Sequence, residues 1–101
     1  MPTLADEFQH AMIDVYEVAK AYGYIASYFK QMLDRHQGVE TAKRLLASRK
    51  VQYGLMKLWE LGLLGHSMEA AAIQDRFRSL FSEAEIAEAR TRLEELGYIR
   101  S

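Results

Sequence analysis

The chain has 101 residues, of which half are hydrophobic and 27% are charged, and its net charge is −1. This balance is typical of one ordinary globular domain spanning residues 1–101 and excludes a disordered or fibrous chain. Cysteine is absent, which excludes disulfides, thiol nucleophiles and thiolate metal sites.

The first half of the chain is predicted to form three helices. Thr3 and Asp6 have the spacing of a capping box, which opens a helix that runs to about residue 22. A second helix is predicted at 25–36, with Gly38 in the left-handed conformation at its end, and a third at 39–49. Helical spacing assigns these side chains to the buried faces of the first two helices: Phe8, Ala11, Met12, Val15, Val18, Ala19, Tyr22, Ile25, Tyr28, Phe29, Met32 and Leu33.

Two shorter helices are predicted in the middle of the chain. One spans 53–61 and is closed by Gly62, and the other spans 68–74 and is capped by Ser67. The segment 76–81 is predicted to be a turn that places its aromatic side chains in the core.

The last helix has the strongest start signal in the sequence. Ser82 and Glu85 form a capping box, and Gly97 is placed to end the helix. Glu88 and Arg92 are spaced as an i, i+4 ion pair, which we expect on the exposed side of this helix.

No segment alternates as a β-strand does, so the sequence predicts an all-α fold, a compact bundle of five to six short helices. We expect Trp59 to carry the largest single burial. One core is predicted to contain these side chains: Phe8, Phe29, Leu45, Leu58, Trp59, Phe81, Ile86 and Leu93.

The histidines and serines form no recognisable site. Asp6, His10, Asp14 and Glu17 share one helix face, but that face is also the solvated one, and no second ligand motif completes a metal shell. No serine lies in a GxSxG or SxxK motif, and no glycine-rich phosphate loop is present. We therefore expect no enzyme activity, no metal, no cofactor and no small-molecule substrate.

Targeting and membrane signals are also lacking. The first seven residues contain no basic stretch, and no apolar run approaches the ~18 residues that a membrane span needs. We expect a cytoplasmic protein that does not engage a membrane.

Charge is distributed unevenly along the chain. Residues 30–57 contain seven basic and two acidic side chains, a net charge of +5, so the remainder must carry −6 to give −1 overall. Such polarity is found on nucleic-acid-binding surfaces, but it equally lets two parts of a protein, or two copies of it, attract each other.

The helices at 39–49 and 53–61 resemble a helix-turn-helix, although their connection is long and the second helix lacks side chains suited to reading bases. A nucleic-acid-binding module is therefore the alternative function. Its possible contacts are Lys43, Arg44, Arg49, Lys50 and Lys57.

Three segments, with Glu69 standing alone among apolar residues between the second and the third, carry a resemblance. They are GVETAKRLLAS at 38–48, GLMKLWELG at 54–62 and LFSEAEIAEARTRLEELGY at 80–98. In this order and spacing they resemble a recurring small helical bacterial domain of uncharacterised function.

That domain occurs as short stand-alone proteins and as a terminal piece of larger ones, which implies an accessory or interaction role. The resemblance implies no catalytic or binding residues. This chain departs from the usual pattern at Leu63, Gly65 and His66. With the small size and the charge asymmetry, the resemblance favours a non-enzymatic domain that binds another protein or a second copy of itself.

Overall fold

The computed structural model describes residues 2–48 and 52–99. Within them the chain forms five α-helices and two 3₁₀ turns, with no strand, which confirms the predicted all-α fold. The helices are α1 Leu4–Ala21, α2 Ser27–Ala47, α3 Gln52–Glu60, α4 Met68–Ala72 and α5 Glu83–Glu95, and the 3₁₀ turns are Leu64–His66 and Asp75–Leu80. Among these described helices, none has both the length and the apolar character to cross a membrane.

The capping residues place three helix starts where they are predicted. The Thr3 hydroxyl accepts the Asp6 N–H at 3.1 Å, and the Asp6 carboxylate accepts the Thr3 N–H at 3.0 Å. Ser82 and Glu85 exchange the same pair of hydrogen bonds at α5, and the Ser67 hydroxyl caps α4. Each bond satisfies an N–H group that the helix itself leaves without an acceptor, so short sequence motifs are enough to locate these starts.

Helix α2 contains a kink, and the kink corrects one prediction. The positive φ lies at Gln37, with φ 68° and ψ 174°, and not at Gly38. Gly38 is buried against α1, where a Cβ atom would lie 2.9 Å from Gln9 Cα. Glycine is needed at this position because two helix backbones approach closely, whereas the predicted reason was a left-handed turn. The kink divides α2 into the two helical stretches that the sequence predicts as separate helices.

The main core is centred on three phenylalanines. Phe8 is fully buried, and its ring meets the Phe77 ring at a centroid distance of 5.0 Å and the Phe81 ring at 5.2 Å, both edge to face. The predicted core residues Phe29 and Ile86 are partly buried and pack against this core. Its buried members are Phe8, Met12, Leu33, Ala42, Leu45, Leu46, Met68, Ala71, Ala72, Phe77, Phe81 and Ala89.

A second, smaller apolar cluster lies under α3 and contains Ala19, Leu58 and Leu63. Trp59 follows Leu58 in the chain but is 47% exposed, so the prediction that it carries the largest burial is wrong. In the described part of the chain, α3 packs chiefly against the 3₁₀ turn Leu64–His66. One face of α3 is therefore covered, and Trp59 lies outside it.

Three apolar side chains around the turn from α1 to α2 are exposed, although helical spacing predicts them to be buried. They are Tyr22, Ile25 and Tyr28. All three lie at the end of α1, in the turn or at the start of α2. The periodicity of a helix shows which side is apolar but not how far along its length a neighbour covers that side.

Candidate functional site

An apolar cleft of about 460 Å³ lies between α1, the α1–α2 turn, α2, α3 and α4. We name it the tyrosine cleft after Tyr24, Tyr28 and Tyr53, which line it. Tyr28 and Tyr53 stand at the mouth, 65% and 68% exposed, whereas Leu45 and Leu58 are buried at the base. Its size and its apolar, aromatic lining are those of a ligand-binding site.

Tyr24 connects the α1–α2 turn to α3. It follows Gly23, whose φ of 97° allows the chain to reverse after α1, and its N–H donates to the Ala19 carbonyl at 2.9 Å. Its ring lies 6.4 Å from the Tyr53 ring, edge to face. Burial raises the pKa of the Tyr24 hydroxyl, and the neighbouring Tyr53 adds to the shift. At neutral pH this hydroxyl is therefore a protonated hydrogen-bond donor in the cleft wall.

The base of the cleft carries a buried ion pair. Glu69 of α4 lines the cleft and is 5% exposed, and Arg92 Nη1 of α5 donates to its Oε2 at 3.1 Å. Arg92 Nε donates to Glu88 Oε2 at 2.7 Å. Burial raises the pKa of the Glu69 carboxyl, and its own backbone N–H together with Arg92 offsets only part of that effect. Glu69 is thus a costly buried acid that depends on Arg92 for compensation.

Arg92 also joins α5 to the end of α2. Its Nη2 donates to the carbonyl oxygens of Leu45 at 3.1 Å, Leu46 at 3.4 Å and Ser48 at 3.0 Å. Carbonyls at a helix C-terminus lack intrahelical N–H donors, and a cation there complements the helix dipole. Because Leu45 and Ser48 also line the tyrosine cleft, Arg92 fixes part of the cleft wall.

The structure corrects the predicted position of Arg92. The ion pair with Glu88 is present, but Arg92 is only 3% exposed, so the pair does not lie on the exposed side of α5. Arg92 follows Ala89 by three residues and therefore shares the buried face of the helix. Two sequence signals point to the site: Glu69 is the lone acid in the apolar stretch 68–72, and Arg92 is a lone cation on an apolar stripe.

The predicted nucleic-acid contact Lys43 packs against the last helix. Its Nζ donates to Glu85 Oε1 at 2.8 Å and lies 5.4 Å from the centroid of the Phe81 ring. Burial acts to raise the pKa of Glu85, but hydrogen bonds from Lys43 and from the Ser82 backbone outweigh it and lower that pKa. This ion pair holds the basic segment, residues 30–57, against α5 of the same chain.

The other described members of the predicted nucleic-acid set are also paired with acids. Arg44 Nε lies 2.9 Å from Glu40 Oε2, and Lys57 Nζ lies 3.5 Å from Glu60 Oε2. These pairs give no support to a continuous basic surface, and nucleic-acid binding stays a prediction. The remaining members, Arg49 and Lys50, lie outside the described residues.

The histidines lie apart from the cleft lining. His10 and His66 are exposed and His36 is half-buried. Across residues 2–48 and 52–99, no three histidine, aspartate or glutamate side chains come together in a way that could hold a metal ion.

No protein family, curated protein or solved structure matches this chain. The resemblance to a small bacterial helical domain therefore stays a prediction.

Proposed function

We propose that this chain is a non-catalytic interaction module that binds a partner protein through the tyrosine cleft. The supporting observation is the combination of an apolar cleft with exposed Tyr28 and Tyr53 at its mouth. Tyrosine is enriched at the energetic centres of protein interfaces because its ring buries a large apolar area while its hydroxyl makes hydrogen bonds.

A bound protein would cover more of the exposed apolar surface than a bound small molecule would. Tyr22 and Ile25 are exposed on the turn that forms one side of the cleft, and Met56 and Trp59 are exposed on α3. A small molecule would fill the cleft and leave these side chains in water. A protein segment anchored in the cleft has the length to reach them as well.

The helical walls favour one mode of binding. Because the described residues contain no strand, they offer no sheet edge to which a partner could add a strand. Insertion of apolar anchors from one face of a partner helix is the mode that suits a cleft between helices. The anchors would then be spaced by three or four residues in the partner.

Selection of peptides tests this proposal without a known partner. A library of random displayed peptides is selected on the full chain, and the affinities of the enriched peptides are measured by calorimetry. We expect Tyr28→Ala and Tyr53→Ala to weaken binding at least about tenfold, as truncation of interface hot spots does. Tyr98→Ala is the matched control, since Tyr98 is an exposed tyrosine that does not line the cleft.

Two results would contradict the proposal. One is a selection that enriches no peptide. The other is a set of enriched peptides that bind Tyr53→Ala as tightly as the wild type, or that lose as much affinity with Tyr98→Ala. Self-association is monitored separately by measuring mass in solution over a range of concentrations.

A further inference from the structure

The base of the tyrosine cleft contains a carboxylate whose hydrogen-bonding capacity is only partly used. Glu69 Oε2 accepts from Arg92 and the carboxylate also accepts its own backbone N–H, whereas no side-chain donor among the described residues bonds to Oε1. Glu69 is 5% exposed and is one of the residues that line the cleft. An ionised carboxylate can accept about four hydrogen bonds. The cleft therefore presents an acceptor to whatever enters it.

The charges around Glu69 do not cancel. Arg92 is paired with both Glu69 and Glu88, so among the described residues one cation faces two carboxylates, an excess of one negative charge. Glu88 is partly exposed, and water stabilises its charge, whereas Glu69 faces the cleft. Lys57, the nearby cation of α3, is already paired with Glu60. Among the described residues, Glu69 therefore brings to the cleft a carboxylate that shares its one cation with Glu88.

We infer that the partner inserts a lysine or arginine side chain whose charged head binds Glu69 Oε1. This inference rests on the proposed protein-binding function. The apolar stem of such a side chain suits the buried Leu58 and Met68, and its cationic head is attracted by the faces of aromatic rings such as Tyr24. A long basic side chain therefore combines an apolar stem that suits the cleft wall with a cationic head that suits Glu69.

The two alternative kinds of anchor are disfavoured by the same geometry. A purely apolar anchor that filled the cleft would remove water from the Glu69 carboxylate and leave part of its hydrogen-bonding capacity buried and unused. An acidic anchor would bring a second negative charge to a cluster that already has one in excess. A cation is the anchor that replaces the lost water with a charge-assisted hydrogen bond.

The test uses the peptides enriched on the full chain. Each lysine or arginine is replaced in turn by norleucine, which keeps an apolar stem and removes the charge. We expect one such replacement to weaken binding to the wild type at least about tenfold, and to have little effect on binding to Glu69→Gln. Thermal melting of Glu69→Gln establishes that the variant is folded.

A second measurement does not depend on the peptides or on that variant. The wild-type chain is titrated with n-hexylammonium, n-hexanol and n-hexanoate, and amide chemical shifts of Glu69 to Ala72 are followed by NMR. We expect the ammonium to bind most tightly and the carboxylate most weakly.

The possible failures are distinguishable. If peptides bind and depend on Tyr53, yet no norleucine replacement matters, the proposed function stands and this inference is overturned. If hexanol binds as tightly as hexylammonium, the inference is overturned as well. If no peptide is enriched, the proposed function fails, while the titration still decides which charge the cleft prefers.

Discussion

Gln37 holds the backbone of α2 in a conformation that side chains rarely adopt, with φ at 68° and ψ at 174°. Such a residue stores roughly 1 to 3 kcal/mol of strain, which the surrounding packing must offset. The packing that offsets it is adjacent, because the kink brings Gly38 against α1. The strained backbone of Gln37 thus accompanies the close contact between Gly38 and α1.

Replacing Gln37 with glycine should relieve this strain. We expect Gln37→Gly to raise the free energy of unfolding by about 1 kcal/mol, because glycine adopts positive φ without steric cost. Gln31→Gly is the matched control, since Gln31 is an exposed glutamine inside the same helix, and it should lower stability by about 0.5 to 1 kcal/mol. Urea unfolding measures the free energy of unfolding of both variants. Equal losses from the two variants would show that Gln37 is not strained.

The two glycines inside helices should respond to alanine in opposite directions. A Cβ at position 38 would lie 2.9 Å from Gln9 Cα, and a backbone atom cannot move aside without moving its helix. At position 54 the nearest atom is the Tyr24 hydroxyl oxygen, at an ordinary contact distance of 3.6 Å. We expect Gly38→Ala to lower the free energy of unfolding by about 1 to 3 kcal/mol and Gly54→Ala to raise it by about 0.5 to 1 kcal/mol. A stabilising Gly38→Ala in thermal melts would contradict the close approach of α1 and α2.

At the scale of elements, α2, α4 and α5 meet at Arg92. Removing its guanidinium would leave Glu69 as an uncompensated buried charge and would free carbonyls at the end of α2. We expect Arg92→Met to lower the free energy of unfolding by about 3 to 5 kcal/mol. Arg92→Lys should have an intermediate effect, because an ammonium can reach one partner but lacks the fork that reaches several.

The control for Arg92 lies on the same helix. Arg90 is exposed, so Arg90→Met should change stability by no more than about 0.5 kcal/mol. Chemical denaturation compares the three variants. A loss from Arg92→Met as small as that from Arg90→Met would mean that the buried network contributes nothing to holding the helices together.

The elements differ in how far the sequence predicts them. The starts of α1 and α5 are predictable because Thr3 and Ser82 act through bonds to residues three positions away. The exposure of Trp59 is not predictable in this way, because it depends on which elements lie beside α3. The tyrosine cleft is unpredictable for the same reason, since its lining comes from four helices and a turn that span residues 15–69. Glu69 and Arg92 are intermediate: their positions are suggestive, but their pairing across 23 residues is a tertiary fact.

For the whole molecule, two glutamates give stability opposite dependences on pH. Glu69 has its pKa raised on folding, so the cost of its charge is full above the folded pKa and is relieved as pH falls through that pKa toward the ordinary value of 4.5. Glu85 has its pKa lowered, so it contributes stability above 4.5 that is lost as pH falls through its folded pKa.

The pH ranges in which Glu69 and Glu85 affect stability can therefore be separated by variants. We expect the wild type to gain stability relative to Glu69→Gln as pH falls from neutral toward 4.5, and to lose stability relative to Glu85→Gln below 4.5. Urea unfolding of the three proteins at a series of pH values measures these differences. A wild type that loses stability relative to Glu69→Gln as pH falls from neutral toward 4.5 would reverse the assigned direction for Glu69.

The long sequence separation of the Arg92 bonds also dictates when the cleft exists. The guanidinium reaches back 44 to 47 residues to the carbonyls of Ser48 and Leu45. During synthesis α2 and α4 leave the ribosome before α5, so until Arg92 follows them those carbonyls and Glu69 keep their water. When α5 docks, the carbonyls at the end of α2 and the Glu69 carboxylate lose their water together, and the cleft wall is fixed in the same step. A nascent chain that stops short of Arg92 therefore has the residues of α2 and α4 but not the bonds that fix the cleft wall.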